Sequence, residues 1–188
     1  MIAQPILETE RLVLRPLTQD DAAAMSRLAG DRQIAQTTLS IPHPCSEEQA
    51  RAWIAARTSQ SARDTQVAFS IDSKEAGHLI GTVGLGKIEP EPSQAEMGFW
   101  IGVPSWGKGY ATEAGQRVIS YAFEELRLNR VYAHHMVRNP TSGRVLEKLG
   151  MKREGLLRQG VRKWGAFEDL VLMAILREDW VRMSGKAD

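Results

Sequence analysis

The chain has 188 residues, 43% of them hydrophobic and 25% charged, with a formal net charge of +1; that size and balance describe one domain spanning 1–188 and exclude a disordered or fibrous chain. No apolar run approaches the ~20 residues a bilayer span requires, and Met1 to Glu10 lacks the basic-then-apolar order of a secretion signal, so no membrane partner is expected. The only cysteine is Cys45, which rules out an internal disulfide and fits a reducing compartment, the cytoplasm.

In chain order, Arg11 to Leu17 alternates Leu12 and Leu14 against Arg11, Val13 and Arg15, the pattern of a strand closed by Pro16. Thr18 followed by Asp21 opens a short helix with Met25 and Leu28 on one face and Gly30 as its stop. The stretch Asp31 to Pro44 reads as irregular. Ser46 and Gln49 form a capping box for a second helix, with a stripe of Ala50, Trp53, Ile54 and Arg57. Val67–Asp72 and His78–Leu85 read as a hairpin about the polar linker Ser73–Gly77, and Ala95–Ile101 as a third strand after a loop holding Pro90 and Pro92. After a glycine-rich turn, Thr112–Leu126 has helical periodicity, Val131–Val137 is a strand, and Asn139-Pro140 opens a helix that runs to Leu149 and stops at Gly150. Met151–Leu157 and Asp169–Leu176 complete the strands; the second is apolar on both faces and is expected to be central. This order predicts an α/β chain, a mixed sheet with helices on both sides.

Charge is uneven along the chain. Arg127 to Lys163 holds ten Lys/Arg against Glu147 and Glu154, net +8, so the remainder is net −7. Such a segment suits a polyanion, either nucleic acid or a phosphate-rich cofactor, or is simply a solvated basic face.

The segment Gly102-Val103-Pro104-Ser105-Trp106-Gly107-Lys108-Gly109-Tyr110-Ala111-Thr112-Glu113-Ala114 joins a strand to a helix. Glycines there let the backbone aim several N–H groups at one point, and the helix start adds partial positive charge, which together make a phosphate site. Gly102 to Lys108 has the spacing of a nucleotide-hydrolysing P-loop, but Gly109 stands where a Ser or Thr must hold magnesium; the dinucleotide pattern fails because Thr112 stands at its third glycine.

With Trp106, Gly109 and Ala111, the turn resembles the acyl-CoA loop (Q/R-x-x-G-x-G/A) of the GNAT superfamily of N-acetyltransferases, departing from it at the first position. Its run Trp106 to Ala114 is similar to the RimJ/RimL-like branch, which modifies the amino termini of ribosomal proteins. So are Leu7–Leu12 with Arg15–Leu17, Glu96–Ile101, and Asn139–Gly150, in the same order along nearly the whole chain. The resemblance implies a mostly antiparallel sheet in which the strand ending at Ile101 and the strand starting at Val131 are parallel neighbours that splay apart. It implies acetyl-CoA as co-substrate, its pantetheine arm pairing with backbone near Ile101 and Val103. The pyrophosphate would rest on N–H groups from Gly107, Lys108, Gly109, Tyr110, Ala111 and Thr112, with Asn139 and Ser142 also near the cofactor.

Acetyl transfer to an amine needs a proton acceptor for the ammonium and a donor for the departing thiolate. Alternation puts Glu96, Gly98 and Trp100 on one strand face, which makes Glu96 the first candidate base, against a plain salt-bridged role; Glu154 and Asp169 are weaker. Many members of the resembled family carry a tyrosine seven residues after the asparagine matching Asn139, where this chain has Leu146. Ser142 stands where the RimL-like branch carries a serine thought to protonate the thiolate; it can equally serve the helix start beside Asn139. His134 and His135 point to opposite faces and cannot share a metal, no metal cluster is present, and Cys45 has no base beside it. Trp53 reads as core, whereas Trp106 and Trp164 sit in loops, Trp164 as a border of the amine pocket.

The expected activity is direct acetyl transfer without a covalent acyl-enzyme, since no nucleophile–base pair is evident. The acceptor is a protein amino terminus or a small amine (antibiotic, polyamine or amino acid), chosen by Asp31–Pro44 and the loop Arg158–Phe167. A non-catalytic acyl-CoA-binding module is the alternative, and a nucleic-acid-binding domain comes last because no basic motif is interleaved with aromatics. A homodimer would be unsurprising.

Overall fold

The computed structural model describes residues 4–39, 41–61 and 65–185; the first residues of the stretch read for a leader, the outermost ends of the expected domain, and Ser40 of the stretch read as irregular lie outside that range. Eight strands form one sheet: β1 (Leu7–Glu8), β2 (Leu12–Pro16), β3 (Val67–Ser73), β4 (His78–Glu89), β5 (Gln94–Ile101), β6 (Arg130–Met136), β7 (Lys152–Lys163) and β8 (Ala166–Leu176). Their spatial order is β1-β2-β3-β4-β5-β6-β8-β7, so the apolar β8 lies inside the sheet and the polar β7 forms its edge. Every pairing is antiparallel except that of β5 with β6.

Strand alternation sorts the side chains into two cores. Ile80, Met97 and Ile101 face α4 (Tyr110–Glu124) and α5 (Pro140–Lys148), packing with Ala114, Val118, Ile119, Phe123 and Leu146. Leu79 and Trp100 face the opposite side and pack with Met25 of α1 (Ala22–Ala29), Ile34 of α2 (Arg32–Ala35) and Ile54 of α3 (Glu47–Ser61). Each such fully buried side chain contributes about 1.5–3 kcal/mol over exposure, so the stripes read from the sequence hold both helical layers on the sheet.

The caps follow the expected chemistry. The Ser46 amide donates to Gln49 Oε1 (2.8 Å) and the Gln49 amide to Ser46 Oγ (3.1 Å). The Thr18 amide donates to Asp21 Oδ2 (2.8 Å) ahead of α1. Five features depart from the expectation. The stretch after Asp31 contains α2, because the Asp31 carboxylate caps the Gln33 amide at 2.8 Å. The short β1 and the C-terminal α6 (Arg177–Ser184) carry too little periodicity to announce themselves. α4 begins two residues earlier, at Tyr110. Most consequential, Arg158–Phe167 is not a loop: β7 and β8 run on, with Lys163 paired to Ala166 across a tight turn of Trp164 and Gly165. Both turn residues have positive φ (+50° and +88°), the geometry that matches hairpin twist, and a solvent-facing edge strand shows no hydrophobic period to betray it.

Between β5 and β6 only Gln94↔Arg130, Ala95↔Val131 and Glu96↔Tyr132 are paired. Beyond them β5 stays with β4 as far as Ile101 and β6 stays with β8 as far as Met136, so the two strands part. The expected parallel, splayed pair is present, and the sheet has a gap near its middle.

Candidate active site

The turn leading into α4 is built to leave donors unused. A short helical turn, Val103–Ser105, closes with the Trp106 amide on the Val103 carbonyl (3.1 Å). Gly107 and Gly109 then take φ of +76° and +82°, backbone that a side chain disfavours, and turn the chain onto the helix axis. The amides of Thr112 and Glu113 both bond the Gly109 carbonyl at 3.1 Å. The amides of Gly107, Lys108, Gly109, Tyr110 and Ala111 have no acceptor among the described residues. Five donors are thus left unengaged at the start of a 15-residue helix, whose dipole adds positive potential. The run ends one residue short of the expected Thr112, whose amide is already spent. Tyr110 offers only its backbone, since its side chain is in the core.

Arg11, quoted in the sequence only as part of a longer segment, is a member of this turn. Its Nη1 donates to the Lys108 carbonyl (3.0 Å), its guanidinium stacks 4.8 Å from the Tyr110 ring, and it pairs with Glu113 at 2.6 Å. Burial works to raise the Glu113 carboxyl, but hydrogen bonds from Thr9 and Arg11 outweigh it and hold the group below the usual carboxylate range. The pairing joins two segments 102 residues apart. Spacing along the chain offers no signal of it.

The gap between β5 and β6 opens into a cavity of about 560 Å3. On the α5 side it is lined by Asn139, Ser142, Leu146 and His135; on the α3 side by Glu96, His134, Trp53 and Arg57. It therefore passes through the sheet.

Asn139 caps α5 and does more. Its Oδ1 accepts from the Ser142 amide (3.3 Å), while its Nδ2 donates to Ser142 Oγ (2.9 Å). A hydroxyl that accepts from Asn139 keeps its own proton to give. The capping and cavity-lining readings of both residues are thus compatible. Leu146, standing where the resembled family carries tyrosine, is buried and has no proton to offer.

Glu96 is held from two sides. Its Oε1 lies 2.9 Å from His134 Nδ1 and its Oε2 lies 2.7 Å from Lys87 Nζ. Lys87 occupies an irregularity of β4 between Gly86 and Glu89, with φ +47°; such bulges re-aim a side chain. The His134 hydrogen bond is the main cause, ahead of opposing burial and of Lys87, that carries the Glu96 carboxyl down to about 2. An ionised carboxylate only accepts, so His134 Nδ1 carries a proton and Nε2 is the ring nitrogen left for exchange with the cavity. His135 faces the other way, with its ring against α5: a Cβ added at Gly143 would come within 2.9 Å of it.

Trp53, expected as core, also lines the cavity; Arg57 lies 4.8 Å over its ring and bonds Gln66 Oε1 at 2.8 Å. Trp106 is half-exposed and its indole N–H donates to the Ile101 carbonyl at 2.6 Å, while the Val103 carbonyl holds the Trp106 amide. Glu154 pairs with Arg130, and Asp169 accepts the Gln159 amide (2.7 Å); both serve structure outside the cavity. Burial pushes the Cys45 thiol up, away from a nucleophile's range. Among the described residues no group of three His, Cys, Asp or Glu could hold a metal ion, and no helix is long and apolar enough to cross a membrane.

A family model described as an acetyltransferase (GNAT) domain matches residues 11–152. An uncharacterized N-acetyltransferase of Bacillus licheniformis is 34% identical over 174 residues, 93% of this chain and 97% of that protein. A ribosomal-protein-serine acetyltransferase of Escherichia coli K12 is 32% identical over 96 residues, 51% and 54% of the two chains. A spermidine N(1)-acetyltransferase of Vibrio cholerae is 26% identical over 93% and 98%. Among solved structures, an acetyltransferase from Bacillus anthracis superposes with a TM-score of 0.82 at 26% identity, covering 93% and 99%.

Proposed function

This chain belongs to the GNAT acetyltransferase family and is an acetyl-CoA-dependent N-acetyltransferase; we propose that it acts as one domain on the amino terminus of a polypeptide, through the cavity between β5 and β6. The observation that carries the cofactor side is the run of five unengaged amides from Gly107 to Ala111, directly after the strand that borders the gap. They suit the pyrophosphate, and Lys108 adds cationic charge beside it, while Arg11, paired with Glu113, braces the turn. Met97, Ala133 and Ser142 line the part of the cavity where the pantetheine arm would lie.

When bound, acetyl-CoA supplies the thioester carbon that the amine attacks. The residues of this chain then divide the proton work. His134, with Nδ1 committed to Glu96, takes the ammonium proton on Nε2 through water, and the Glu96 anion stabilises the imidazolium that forms. Glu96, whose carboxyl sits at about 2, is too weak a base to take that proton itself at neutral pH and orients His134 instead. Ser142, with Oγ accepting from Asn139, donates a hydrogen bond toward the departing sulfur and relays to it the second proton that the attacking nitrogen sheds, so the serine ends the step as a hydroxyl.

Two classes of acceptor follow from the relatives' names, a ribosomal-protein serine and spermidine. The cavity favours the first. Among the described residues lining it, the one carboxylate is Glu96, and both of its oxygens are engaged by cations or histidine, while Arg57 and Lys87 add positive charge. A polycation needs carboxylates to replace its hydration; a peptide amino terminus needs only one amine bound. An acceptor screen at fixed acetyl-CoA, reading thiol release, tests this with peptides beginning in Ala, Ser or Thr against polyamines and amino acids. Turnover of peptides is expected; turnover of spermidine with none of the peptides overturns the polypeptide reading, and tight acetyl-CoA binding with no turnover of any amine makes the chain a binding module.

A further inference from the structure

The α3 face of the sheet carries a trough whose far end takes no part in the proton transfers. Glu96, Gly98 and Trp100 of β5 face α3, and across β4 they are paired with Gly86, Gly84 and Thr82 respectively. The register Val67↔Leu85 and Ala68↔Gly84, carried on by one residue, puts Gln66 opposite Gly86 on that same face. Between Glu96 at one end and Gln66 at the other, the floor is therefore glycine. A Cβ added at Gly86 or Gly98 would meet nothing within 4 Å, whereas one at Gly84 would come within 2.4 Å of the Val67 carbonyl oxygen. All three glycines line the cavity, so an acceptor can lie close against the sheet above them.

A cation without its counter-charge closes that far end. Arg57 of α3 lines the cavity, donates from Nη1 to Gln66 Oε1 at 2.8 Å and lies 4.8 Å over the Trp53 ring. Gln66 is held in place by its own Nε2, which donates to the Arg57 carbonyl at 3.1 Å. Gln66 answers the guanidinium with a dipole rather than a charge, and among the described residues no carboxylate pairs with Arg57. Burial pushes the guanidinium down, with no acid opposing the shift. Two further donors in this wall are the indole N–H groups of Trp53 and Trp100, both buried without an acceptor, and both residues line the cavity. Trp100 is only 7% exposed. A wall with donors in excess of acceptors suits a ligand that brings oxygen atoms, and the charge of Arg57 specifies an anionic one.

We infer that Arg57 determines specificity by binding a carboxylate on the second or third residue of the acceptor polypeptide, whose first residues lie along the glycine floor. The inference rests on the polypeptide reading above and goes beyond it, because it names the acceptor feature that is selected. Distance decides the position. Gln66 and Glu96 flank Gly86, two strand spacings apart, which is roughly 10 Å at ~4.8 Å each. A free amino acid carries its carboxylate only about 3–4 Å from its amine, too close for the nitrogen to stay at His134 while the carboxylate reaches Arg57. In an extended chain each residue adds about 3.3–3.6 Å, and an acidic side chain a few ångströms more, so an acid in second or third place spans the trough. The planar guanidinium fork takes both carboxylate oxygens at once, and the Trp53 ring beneath it supports its plane.

The test uses Ser-led peptides of one length that carry a single glutamate in second, third or sixth place, each with its glutamine counterpart. With the wild-type chain, glutamate in second or third place should lower KM roughly five- to twentyfold relative to glutamine, and glutamate in sixth place should not. In Arg57→Gln, checked for folding by thermal melt, that advantage should vanish, and Arg57→Glu should transfer it to peptides with lysine in the same place. The position scan needs no variant, so it reads the preference even where a substitution at Arg57 loosens α3. Turnover of every peptide with equal KM overturns the Arg57 subsite and leaves the polypeptide reading intact, whereas turnover of none removes both. An advantage that persists in Arg57→Gln, or free glutamate turned over at a lower KM than any peptide, equally overturns the proposal.

Discussion

Replacing Glu96 by glutamine keeps the shape of the side chain and removes its charge, which separates the role of the carboxylate from that of its volume. The wild-type carboxyl falls from an ordinary 4.5 to about 2, held by His134 at 2.9 Å and Lys87 at 2.7 Å. By linkage that depression corresponds to about 3 kcal/mol of stability for the ionised form. Lys87 is 65% exposed, so its share is screened, and a loss of about 1–2 kcal/mol at pH 7 is the expected effect of Glu96→Gln. Because the folded value lies below the unfolded one, the contribution is complete above 4.5 and is lost as pH falls from there toward 2; more than half should be gone by about pH 3. Urea unfolding of both proteins at pH 7, 4 and 3 reads this directly, as a gap in midpoint that narrows with acid. Equal midpoints at pH 7, or a gap that does not narrow, would refute the account of Glu96 as a clamped anion. On the kinetic side the variant no longer fixes the His134 tautomer, so kcat should fall by about tenfold or more while the Kd for acetyl-CoA stays put. A fall in cofactor affinity with normal kcat would place Glu96 outside the proton path.

Ser142→Ala removes the hydroxyl that Asn139 orients, and should slow turnover by about tenfold or more with little change in acetyl-CoA binding by calorimetry; an unchanged kcat removes Ser142 from the mechanism. Gly109→Ala meets no close contact, the nearest atom being an Arg11 nitrogen at 3.6 Å, yet must hold φ at +82°, at a cost of about 1–2 kcal/mol. The variant relieves that strain by turning the free amides, so acetyl-CoA should bind several-fold more weakly; an unchanged Kd alongside a lowered Tm would show that the cradle does not hold the cofactor.

Much of the molecule is legible along the chain because its causes are local. Capping at Ser46 and Gln49, the strand alternation of Leu12 and Leu14, and the glycines that turn the chain into α4 each depend on neighbours a few residues away, and the structure has them where the pattern puts them. Edges defeat the same reading: β7 is exposed along most of its length, so no period marks it, and its continuation past Arg158 was legible only in the turn chemistry of Trp164-Gly165. The site divides in the same way. Asn139 and Ser142 lie on one helical turn and Gly107 to Ala111 on one run from turn into helix, so spacing alone nominates them. The partners of Glu96 could not be nominated so, since His134 lies 38 residues away and meets it only because β6 pairs in parallel with β5 for three residues before parting. A carboxylate's basicity is set by what surrounds it in space, and a strand pair's divergence by what packs beneath it. Local order, helix starts and the anion-binding turn are therefore properties of the sequence, whereas the passage through the sheet and the Glu96–His134 pair exist only once distant segments have packed together.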